Sequence, residues 1–388
     1  MHTDYTGLLS SQDSLVDSWY SLWDEDLTTP ENLQALLPKL ILLPDDYYDI
    51  IASYLLIPSA LARVTPHLFF FGASGTGKTT LSKFAAYWYG INLSSPTDTF
   101  AGIRNSLNDK KYKEIEIPNS DSSLPPYYKK VEVNTAMVYE DIDPSVLSTT
   151  PNLYRLLKVS NDRSTDKISM SSETKGTNME FYTFCPKIFS SISAIHLDER
   201  FKELQRRLIV IPFKKIEDLS DERLEQLSTS RDTWQKHLIN IDAYDWSNFS
   251  DKFISFWNYE LASVYLLTRK TLAKTLTGLN SRHRAISLDL ITTGVVSGIW
   301  NDETVAANKL KSYFDWYTKE CSQYGGIRKY LTDYLANRTS GVHHKEMRNM
   351  IANWLEAGWI LESPTAKQLK EILADLGLVL YEGYWVKR

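Results

Sequence analysis

The sequence predicts an α/β fold with a parallel β-sheet covered by helices on both faces. Between about residues 61 and 215, short apolar runs such as "HLFFFG" and "RRLIVIPF" alternate with stretches of helical periodicity. Strands that alternate with helices favour parallel pairing, since each crossover returns the chain to the same end of the sheet. A glycine-rich stretch, "FFFGASGTGKTT", lies between the first of these strands and a helix. This stretch is the most informative part of the chain.

Each element of the central part has a local signal. The helix predicted over residues 79–89 ends at Gly90, which suits the left-handed conformation that closes a helix. Residues 109–130 are polar and interrupted by proline, so we expect a surface insertion there. "VNTAMVYEDID" is typical of a buried strand that ends in acidic residues, and "KISMSSETKGTNMEFYTF" of a hairpin that turns near Gly176. "CPKIFSSISAI" and "RRLIVIPF" complete the predicted strands.

The regions on either side have a mostly helical pattern. Residues 12–60 contain amphipathic runs, and residues 216–320 lack strand signals. Towards the end of the chain, helices are expected at about 327–338 and 344–357, and "LVLYEGYWV" predicts a short hairpin. Helices followed by a hairpin indicate a winged-helix-like unit.

The last helix is predicted from the residues at its two ends. Ser363 can cap it, Pro364 can occupy its first turn and Gly377 can end it. We therefore expect four parts in the chain: an acidic helical N-terminal segment, a core that contains the glycine-rich stretch, a helical lid and a winged-helix-like domain. Their expected bounds are residues 1–60, 61–215, 216–320 and 321–388.

Composition indicates a soluble, cytoplasmic protein without a membrane span. The hydrophobic share of 43% and the charged share of 23% are those of a globular protein. The most apolar window is interrupted by Asp289, the N-terminus lacks a signal-peptide pattern, and Cys185 and Cys321 lie far apart. Residues 1–60 hold ten carboxylates and one lysine, whereas the remainder has a net charge of +4. This asymmetry suits phosphate contact by part of the surface, and a well-solvated acidic segment explains it equally.

The glycine-rich stretch has the spacing of a phosphate-binding loop. Gly72, Gly77, Lys78 and Thr79 satisfy G-x-x-x-x-G-K-[ST]. Glycines let backbone N–H groups turn towards a phosphate, and the following helix presents the positive end of its dipole. Lys78 would reach the β- and γ-phosphates and Thr79 would ligate Mg²⁺, so the expected cofactors are ATP and Mg²⁺. The residues expected to bind the nucleotide are Gly72, Ala73, Ser74, Gly75, Thr76, Gly77, Lys78, Thr79 and Thr80.

Such a site also needs carboxylates at the end of a neighbouring strand. "AMVYED" provides Glu140 and Asp141, which we expect to hold the metal with Thr79 and to polarise the attacking water. The usual order is Asp before Glu, so the reversed order leaves the two roles unassigned. Asp143 can substitute for either, and a helix-capping acidic turn is the structural alternative. Ser191 can sense the γ-phosphate at the end of "PKIFSS", or it is a buried structural serine.

Cations stabilise the charge on a departing phosphate, and arginines precede the last predicted strand. Arg206 and Arg207 stand where an arginine can reach the nucleotide of a neighbouring subunit. The alternative is an ion pair within the chain to Glu203 or Glu199. Weaker candidates are Arg200, Arg282 and Arg284.

This order of motifs resembles the AAA+ superfamily of P-loop ATPases over about residues 60–215. The shared features are the phosphate loop, the acidic strand, the hairpin, "F-x-x-F-C-P-K" and "RR" before the last strand. More narrowly, the chain is similar to ATPases of phage and plasmid replication, including the helicase half of primase-helicases. The resemblance implies a homo-oligomeric ring, often a hexamer, that moves on DNA with a replication protein as partner. It also implies an arginine that acts in trans, here Arg206 or Arg207. Many members carry Asn where this chain has Ser191 and Ile192.

In replicative ring ATPases, a hairpin between the acidic and sensing strands contacts DNA in the central channel. The resemblance puts Lys175 at the tip of this hairpin, with Arg163 and Lys167 at its approach, where they would bind single-stranded DNA. A solvated turn is the alternative for Lys175. Two other functions compete with the helicase: an ATP-switched regulator or loader that acts through a protein partner, and a protein remodeller. "SSETKGTN" lacks the aromatic tip that remodellers usually have.

Overall fold

The protein has an α/β fold with a parallel sheet of four strands at its centre, which confirms the predicted class. The computed structural model describes residues 30–117, 127–171, 178–227, 257, 259–320, 325–336, 338, 340–356 and 363–387. The strands are β1 (His67–Phe71), β2 (Tyr112–Ile117), β3 (Tyr127–Glu132), β4 (Met137–Tyr139), β5 (Lys167–Ser171), β6 (Asn178–Tyr182), β7 (Lys187–Ser191), β8 (Leu208–Pro212), β9 (Val342–His343), β10 (Leu378–Tyr381) and β11 (Tyr384–Lys387). The helices are α1 (Pro30–Leu40), α2 (Tyr48–Leu55), α3 (Lys78–Tyr89), α4 (Phe100–Lys111), α5 (Pro144–Thr149), α6 (Pro151–Val159), α7 (Lys202–Gln205), α8 (Asp221–Gln226), α9 (Tyr259–Thr275), α10 (Ser281–Val296), α11 (Glu303–Glu320), α12 (Gly325–Ala336), α13 (His344–Glu356) and α14 (Ala366–Asp375). Over these residues, no helix is both long and apolar enough to cross a membrane.

The central sheet has the strand order β4-β7-β1-β8, and each neighbouring pair is parallel. Phe69 in β1 lies opposite Phe189 in β7 and Val210 in β8. Nearly every residue of these strands is buried, as expected for strands covered on both faces. Beyond β4, Ser94 pairs with Tyr139 in a parallel bridge and widens the sheet locally.

One hydrophobic core joins the sheet to the helices that precede and follow it. Leu37 in α1, Tyr54 in α2, Phe69 in β1, Ile291 in α10 and Phe314 in α11 all belong to it and are essentially inaccessible to solvent. The expected bounds at residues 60 and 215 therefore stay predictions, because packing alone does not separate these parts.

A buried lysine at the start of β7 organises the chain before that strand. The Nζ of Lys187 donates to the carbonyl oxygens of Thr183 at 2.8 Å, Cys185 at 3.0 Å and Ser160 at 3.2 Å. Its backbone N–H donates to the Tyr54 hydroxyl at 2.9 Å. Because a buried charge without such acceptors is costly, these carbonyl groups give Lys187 a structural role.

His67, at the start of β1, is buried. Its Nε2 donates to the carbonyl oxygen of Leu157 at 2.6 Å, and its Nδ1 has no hydrogen-bond partner within the described residues. Burial and then the positive charge of Lys187 lower the pKa of His67 from 6.5 to about 3. The bond to Leu157 opposes this shift, and Arg207 adds to it. The imidazole is therefore neutral in the folded protein at neutral pH.

The lowered pKa of His67 predicts a loss of stability in acid. An unfolded histidine titrates near 6.5, so the contribution of His67 is complete above that pH and is lost as the pH falls from 6.5 towards 3. Between pH 7.5 and pH 5.5, this group should cost the wild type about 1.4 kcal/mol of unfolding free energy that His67→Gln does not lose. Urea unfolding at the two pH values measures the difference. Equal losses in both proteins would contradict the prediction.

A buried carboxylate in α10 joins the helical region to the entry of the sheet. Asp289 accepts hydrogen bonds from the backbone N–H groups of Arg63 at 3.2 Å and Val64 at 2.9 Å. It also accepts from the Tyr265 hydroxyl at 2.6 Å and from the Arg269 guanidinium at 2.5 Å, both in α9. In the sequence this residue is visible only as an interruption of an apolar run. In the structure it fixes the segment before β1 against α9 and α10.

Two antiparallel hairpins accompany the central sheet. The hairpin of β5 and β6 confirms the prediction, although its turn, with Lys175 and Gly176, lies outside the described residues. The surface insertion expected over 109–130 contains the end of α4 and a second hairpin, β2 with β3. The alternation of Ile115 and Ile117 with charged residues in "YKEIEI" was the available signal for β2.

The C-terminal part has its own hydrophobic core. Leu331 in α12, Met347 in α13, Ile372 in α14 and Trp385 in β11 belong to it. Its three strands form an antiparallel sheet in the order β10-β11-β9. The helices expected near 327–338 and 344–357, and the hairpin after them, are confirmed with small shifts at their ends.

The beginning of α14 differs from the prediction. Thr365 caps this helix in place of Ser363, because its hydroxyl accepts from the N–H of Gln368 while the Gln368 side chain accepts from the N–H of Thr365. This reciprocal pair satisfies two backbone donors at once, which a single serine cap does not. Gly377 follows the helix with a φ of 78°, as expected for its end.

Candidate functional site

A cleft of about 940 Å³ opens where the strands of the central sheet end. Because parallel strands present their carboxyl ends at one edge, the segments that follow β1, β4, β7 and β8 meet there. The volume is in the range of small-molecule sites. The lining residues are 40–42, 74–80, 141–143, 191–192, 214–217 and 219.

The glycine-rich loop forms the floor of this cleft and leads directly from β1 into α3. Gly75 and Gly77 have φ values of 77° and 93°, in the left-handed region that favours glycine. Gly77 is the residue before the first turn of α3, which begins at Lys78. The N-terminus of a 12-residue helix, with its positive dipole end, therefore lies at the cleft. Backbone in this form suits a bound anion.

Gly72 is required by a close approach of two backbone segments. A Cβ at this position would collide with the carbonyl oxygen of Phe213 and would lie 2.9 Å from its Cβ. The N–H of Phe213 donates to the carbonyl oxygen of Phe71 at 2.6 Å, so the chain after β8 cannot easily retreat. The first glycine of the loop therefore has a packing role as well as its expected role near a phosphate.

Gly72→Ala is expected to lower the free energy of unfolding by roughly 1–3 kcal/mol, because the new methyl group meets backbone atoms that cannot rotate away. Gly102→Ala is the matched control, since the added Cβ would meet only the Thr99 hydroxyl at 3.3 Å in an exposed helix. Urea unfolding of both variants measures the difference. A Gly72→Ala protein as stable as Gly102→Ala would contradict the contact with Phe213.

Lys78 is folded against the loop that precedes it. Its Nζ donates to the carbonyl oxygens of Gly72 and Ala73, both at 2.7 Å, and the residue is 6% exposed. Burial lowers the pKa of Lys78, while the charges of Asp141 and, to a smaller extent, Glu140 raise it. The ammonium group is therefore bound to loop carbonyls, and the charges of the two carboxylates act on it without a direct ion pair.

Of the acidic residues after β4, Asp141 and Asp143 line the cleft. The backbone of Glu140 continues the strand, since its N–H donates to the Ser94 carbonyl at 2.8 Å. Glu140 is not among the residues that line the cleft. Asp143 caps α5 by accepting from the N–H of Ser145 at 2.6 Å. The helix-capping alternative therefore describes Asp143, and Asp141 is the carboxylate whose side chain has no capping role in α5.

The backbone of Asp141 has a left-handed conformation, with a φ of 51°. A residue with a Cβ rarely adopts it, although Asp and Asn tolerate it best. Ser190 in β7 helps to hold it, since its hydroxyl accepts from the N–H of Asp141 at 3.2 Å and its carbonyl accepts from the N–H of Ile142 at 2.8 Å. Sequence reasoning missed Ser190, for which the serine run in "IFSSIS" was the only signal.

The residues at the end of β7 present few polar side-chain atoms to the cleft. Ser191 is 2% exposed, and its hydroxyl accepts from the N–H of Ser193 at 3.0 Å. Ile192, the next residue, lines the cleft and is 52% exposed. A serine that serves a local turn fits the structural alternative for Ser191, while its place in the lining keeps the sensing role a prediction.

Arg206 and Arg207 lie at the opposite edge of the sheet from the cleft. The carbonyl oxygen of Arg207 accepts from the N–H of His67, the first residue of β1. β1 has 5 residues, which at about 3.3 Å each separate the two edges by roughly 16 Å. Neither arginine can therefore reach the cleft of its own chain. Both pair with Glu203, Arg206 at 3.3 Å and Arg207 at 3.6 Å, which is the ion pair weighed as the alternative.

The weaker arginine candidates have different surroundings. Burial and then the charges of Arg206 and Arg207 lower the pKa of Arg282, so Arg282 belongs to the same cationic group. Arg200 pairs with Asp198 at 2.5 Å, and Arg284 donates to carbonyl groups at the end of α9.

The cations at the base of the β5–β6 hairpin have partners within the chain. Arg163 donates to both carboxylate oxygens of Glu132 at 2.9 Å and stacks over Phe184, which ties β3 to the start of the hairpin. Lys167 pairs with Glu180 across the hairpin at 2.9 Å. Lys175 lies outside the described residues. The expected DNA contacts of these three residues stay predictions.

Several cleft residues had no motif to reveal them. Lys214 and Lys215 enter from the segment after β8, and Leu40 to Leu42 from the end of α1. The available signal for the lysines was their place directly after the last strand, in "IPFKK". The apolar residues at 40–42 are separated from the loop by some 30 positions, so only the folded chain brings them together.

The donor groups of the cleft fit Mg²⁺ bound together with a nucleotide. Within the described ranges, no three His, Cys, Asp or Glu side chains are grouped to hold a metal by themselves. Mg²⁺ in phosphate sites usually takes only one or two protein oxygens and completes its shell with phosphates and water. The hydroxyl of Thr79 and the carboxylate of Asp141, both in the lining, supply oxygens of that kind.

Comparison with protein-family models finds no family that matches this chain, and comparison with curated proteins finds no match either. Its function is therefore inferred from the cleft and the residues around it.

Proposed function

We propose that this protein is a Mg²⁺-dependent, AAA+-type P-loop ATPase that acts on DNA, as the replicative helicases of phages and plasmids do. The observation that carries the proposal is the cleft itself. A glycine loop with left-handed turns at Gly75 and Gly77, the ammonium group of Lys78 and the carboxylate of Asp141 face one space at the carboxyl edge of a parallel sheet. These groups are the ones that phosphoryl transfer from ATP requires.

Each residue has a physical task in this proposal. The loop N–H groups and the N-terminus of α3 bind the phosphates, and Lys78 leaves the carbonyls of Gly72 and Ala73 to neutralise the β- and γ-phosphate oxygens. Thr79 and Asp141 would hold Mg²⁺, which supplies charge neutralisation of the phosphate chain. Asp141 orients the attacking water, with its backbone fixed by Ser190.

A ring of subunits would complete the site. Since Arg206 and Arg207 cannot reach the cleft of their own chain, they act in this proposal on the nucleotide of a neighbouring copy, with Arg282 beside them. Their pairing with Glu203 then holds the guanidinium groups at the subunit surface in a defined orientation. The pair of Arg206 with Glu203 is exposed and therefore weak, so Arg206 can exchange it for a phosphate, whereas Arg207 also donates to the Asn161 side chain at 2.9 Å.

The DNA part of the proposal is supported by the resemblance, by the β5–β6 hairpin and by the separate C-terminal core. The pair of Arg163 with Glu132 ties the segment before β5 to the end of β3, so the base of the hairpin is held in place. The C-terminal helices and their antiparallel sheet share a hydrophobic core of their own, which supports the proposal of a winged-helix-like unit. Such units present a helix and a hairpin to phosphates or to a partner protein.

The deciding experiment is the rate of ATP hydrolysis with Mg²⁺, measured alone, with single-stranded DNA and with duplex DNA. Lys78→Ala supplies the blank, because it removes the ammonium group from the loop. A rate that exceeds the blank and rises with DNA is the expected result. Absence of any hydrolysis above the blank would refute the ATPase.

A second candidate function is an ATP-switched regulator or loader that turns over slowly. The burial of Ser191 and the exposed Ile192 in the cleft favour it, because the Ser191 hydroxyl already serves the N–H of Ser193 and Ile192 has no polar side-chain group for the γ-phosphate. The reversed order of Glu140 and Asp141 points in the same direction. Hydrolysis that is slow and indifferent to DNA, together with tight ATP binding, would select this function over the helicase.

A further inference from the structure

We infer that Lys214 and Lys215 are cations of the cleft that bind the phosphate chain beside the loop and favour a triphosphate over a diphosphate. This inference rests on the proposed function, since it names the residues by which the same cleft distinguishes the two nucleotides. Neither lysine belongs to the phosphate-loop motif, the acidic strand or the arginines before β8.

Backbone contacts hold the two lysines beside the glycine loop. The chain leaves β8 at Phe213, whose N–H donates to the carbonyl of Phe71 and whose carbonyl oxygen packs against Gly72. Lys214 is the next residue, so its backbone lies beside the first glycine of the loop. Lys215 has an extended backbone, with φ and ψ of −66° and 153°, and it too lines the cleft. Their position is therefore set by the pairing of β8 with β1.

Both side chains are exposed and have no ion pair or hydrogen bond with any described residue. Lys78, in contrast, is buried and bonded to two loop carbonyls. A lysine side chain carries a compact charge on a flexible stem, so an unpaired one can turn towards an incoming anion at small cost. Two such groups at the mouth of one cleft are suited to the outer end of a phosphate chain.

The charges of the cleft agree with this assignment. Its lining has three lysines and three carboxylates, which are Lys78, Lys214, Lys215, Asp141, Asp143 and Glu217. A nucleoside triphosphate brings more negative charge than one divalent cation neutralises. Without the two lysines, the loaded cleft would hold a large uncompensated negative charge in a partly enclosed space, which is unfavourable.

The expected preference for ATP over ADP follows from the positions of Lys214 and Lys215 in the cleft. Lys78 and the N-terminus of α3 already serve the phosphates inside the loop. The exposed cations of Lys214 and Lys215 add positive charge for the terminal phosphate, which Lys78 alone would otherwise neutralise and which ATP has and ADP lacks. Removing them should therefore weaken the binding of ATP more than that of ADP.

The test measures dissociation constants of ATP and ADP, with Mg²⁺, by calorimetry on the full chain. Lys214→Ala/Lys215→Ala is compared with Lys214→Arg/Lys215→Arg, which keeps both charges, and with Lys311→Ala, an exposed lysine of α11 outside the cleft. We expect the double alanine variant to lose about tenfold or more in ATP affinity, as for lost hydrogen bonds to charged groups, and clearly less in ADP affinity. The arginine variant and Lys311→Ala should bind both nucleotides much as the wild type does.

Two results would overturn the inference while leaving the proposed function intact. The double alanine variant could bind ATP within about twofold of the wild type, or it could lose equal factors for ATP and ADP. A wild-type protein that binds neither nucleotide would instead refute the proposed function. Thermal unfolding of each variant shows that the folded state is being compared, and both lysines are exposed enough for alanine to be tolerated.

Discussion

Asp141→Asn is expected to lower the rate of ATP hydrolysis about 100-fold or more and the affinity for ATP far less, because the loop N–H groups and Lys78 still bind the phosphates. Asp141 lines the cleft and has a larger electrostatic effect on Lys78 than Glu140 has. An amide of the same shape cannot accept a proton from the attacking water. Turnover and the ATP dissociation constant, measured on the same preparation, separate the loss of chemistry from a loss of binding.

Asparagine is the suitable replacement because of the backbone at this position. Asp141 has a φ of 51°, which Asn tolerates and most other residues do not. The hydrogen bond from its N–H to Ser190 does not depend on the side chain, so it persists in the variant. A fall in turnover therefore reports the missing carboxylate.

Asp143→Asn is the matched control for Asp141→Asn. Asp143 caps α5, and asparagine caps a helix about as well as aspartate, so both stability and turnover should stay near those of the wild type. Equal losses from Asp143→Asn and Asp141→Asn would mean that the two carboxylates share the task. A loss seen only in Glu140→Gln would transfer the role to Glu140.

Asp289→Ala is expected to lower the free energy of unfolding by about 3–5 kcal/mol, since it leaves a partly buried charge without its partner. The Arg269 guanidinium would lose its carboxylate, and the N–H groups of Arg63 and Val64 would lose their acceptor. The Tyr265 hydroxyl, which is fully buried, would lose its partner as well. Two of these contacts join α10 to the segment before β1, and the other two join α10 to α9.

Urea unfolding followed by tryptophan fluorescence measures this loss. Asp333→Ala is the control, because Asp333 is an exposed residue of α12 and such substitutions usually change stability by less than about 0.5 kcal/mol. An Asp289→Ala protein as stable as Asp333→Ala would mean that the carboxylate does not hold the helical region to the core. Arg269→Met in the Asp289→Ala background should recover part of the loss, because it removes the charge left unpaired.

Elements whose conformation is set by residues close together in the sequence could be predicted from the sequence. The glycine loop could be recognised because its residues are contiguous and its spacing reflects the backbone that a phosphate needs. Gly90 marked the end of α3, where it has a φ of 61°, because glycine favours that conformation. The capping of α14 was misjudged, although Thr365 and Gln368 stand at the spacing of a capping box.

The sequence by itself determined the α/β class, the strands of the central sheet, the loop between β1 and α3 and the acidic segment after β4. Each depends on the conformational preference and burial of residues that are close along the chain. Only the tertiary structure decided that Asp289 meets Arg63, that Phe213 packs on Gly72, that Lys214 and Lys215 enter the cleft, and that Arg206 and Arg207 lie at the far edge of the sheet. These contacts join residues distant in sequence. They form only where many side chains pack together. Because the free energy of this packing comes from the whole core, no short segment of the sequence shows a pattern that predicts them.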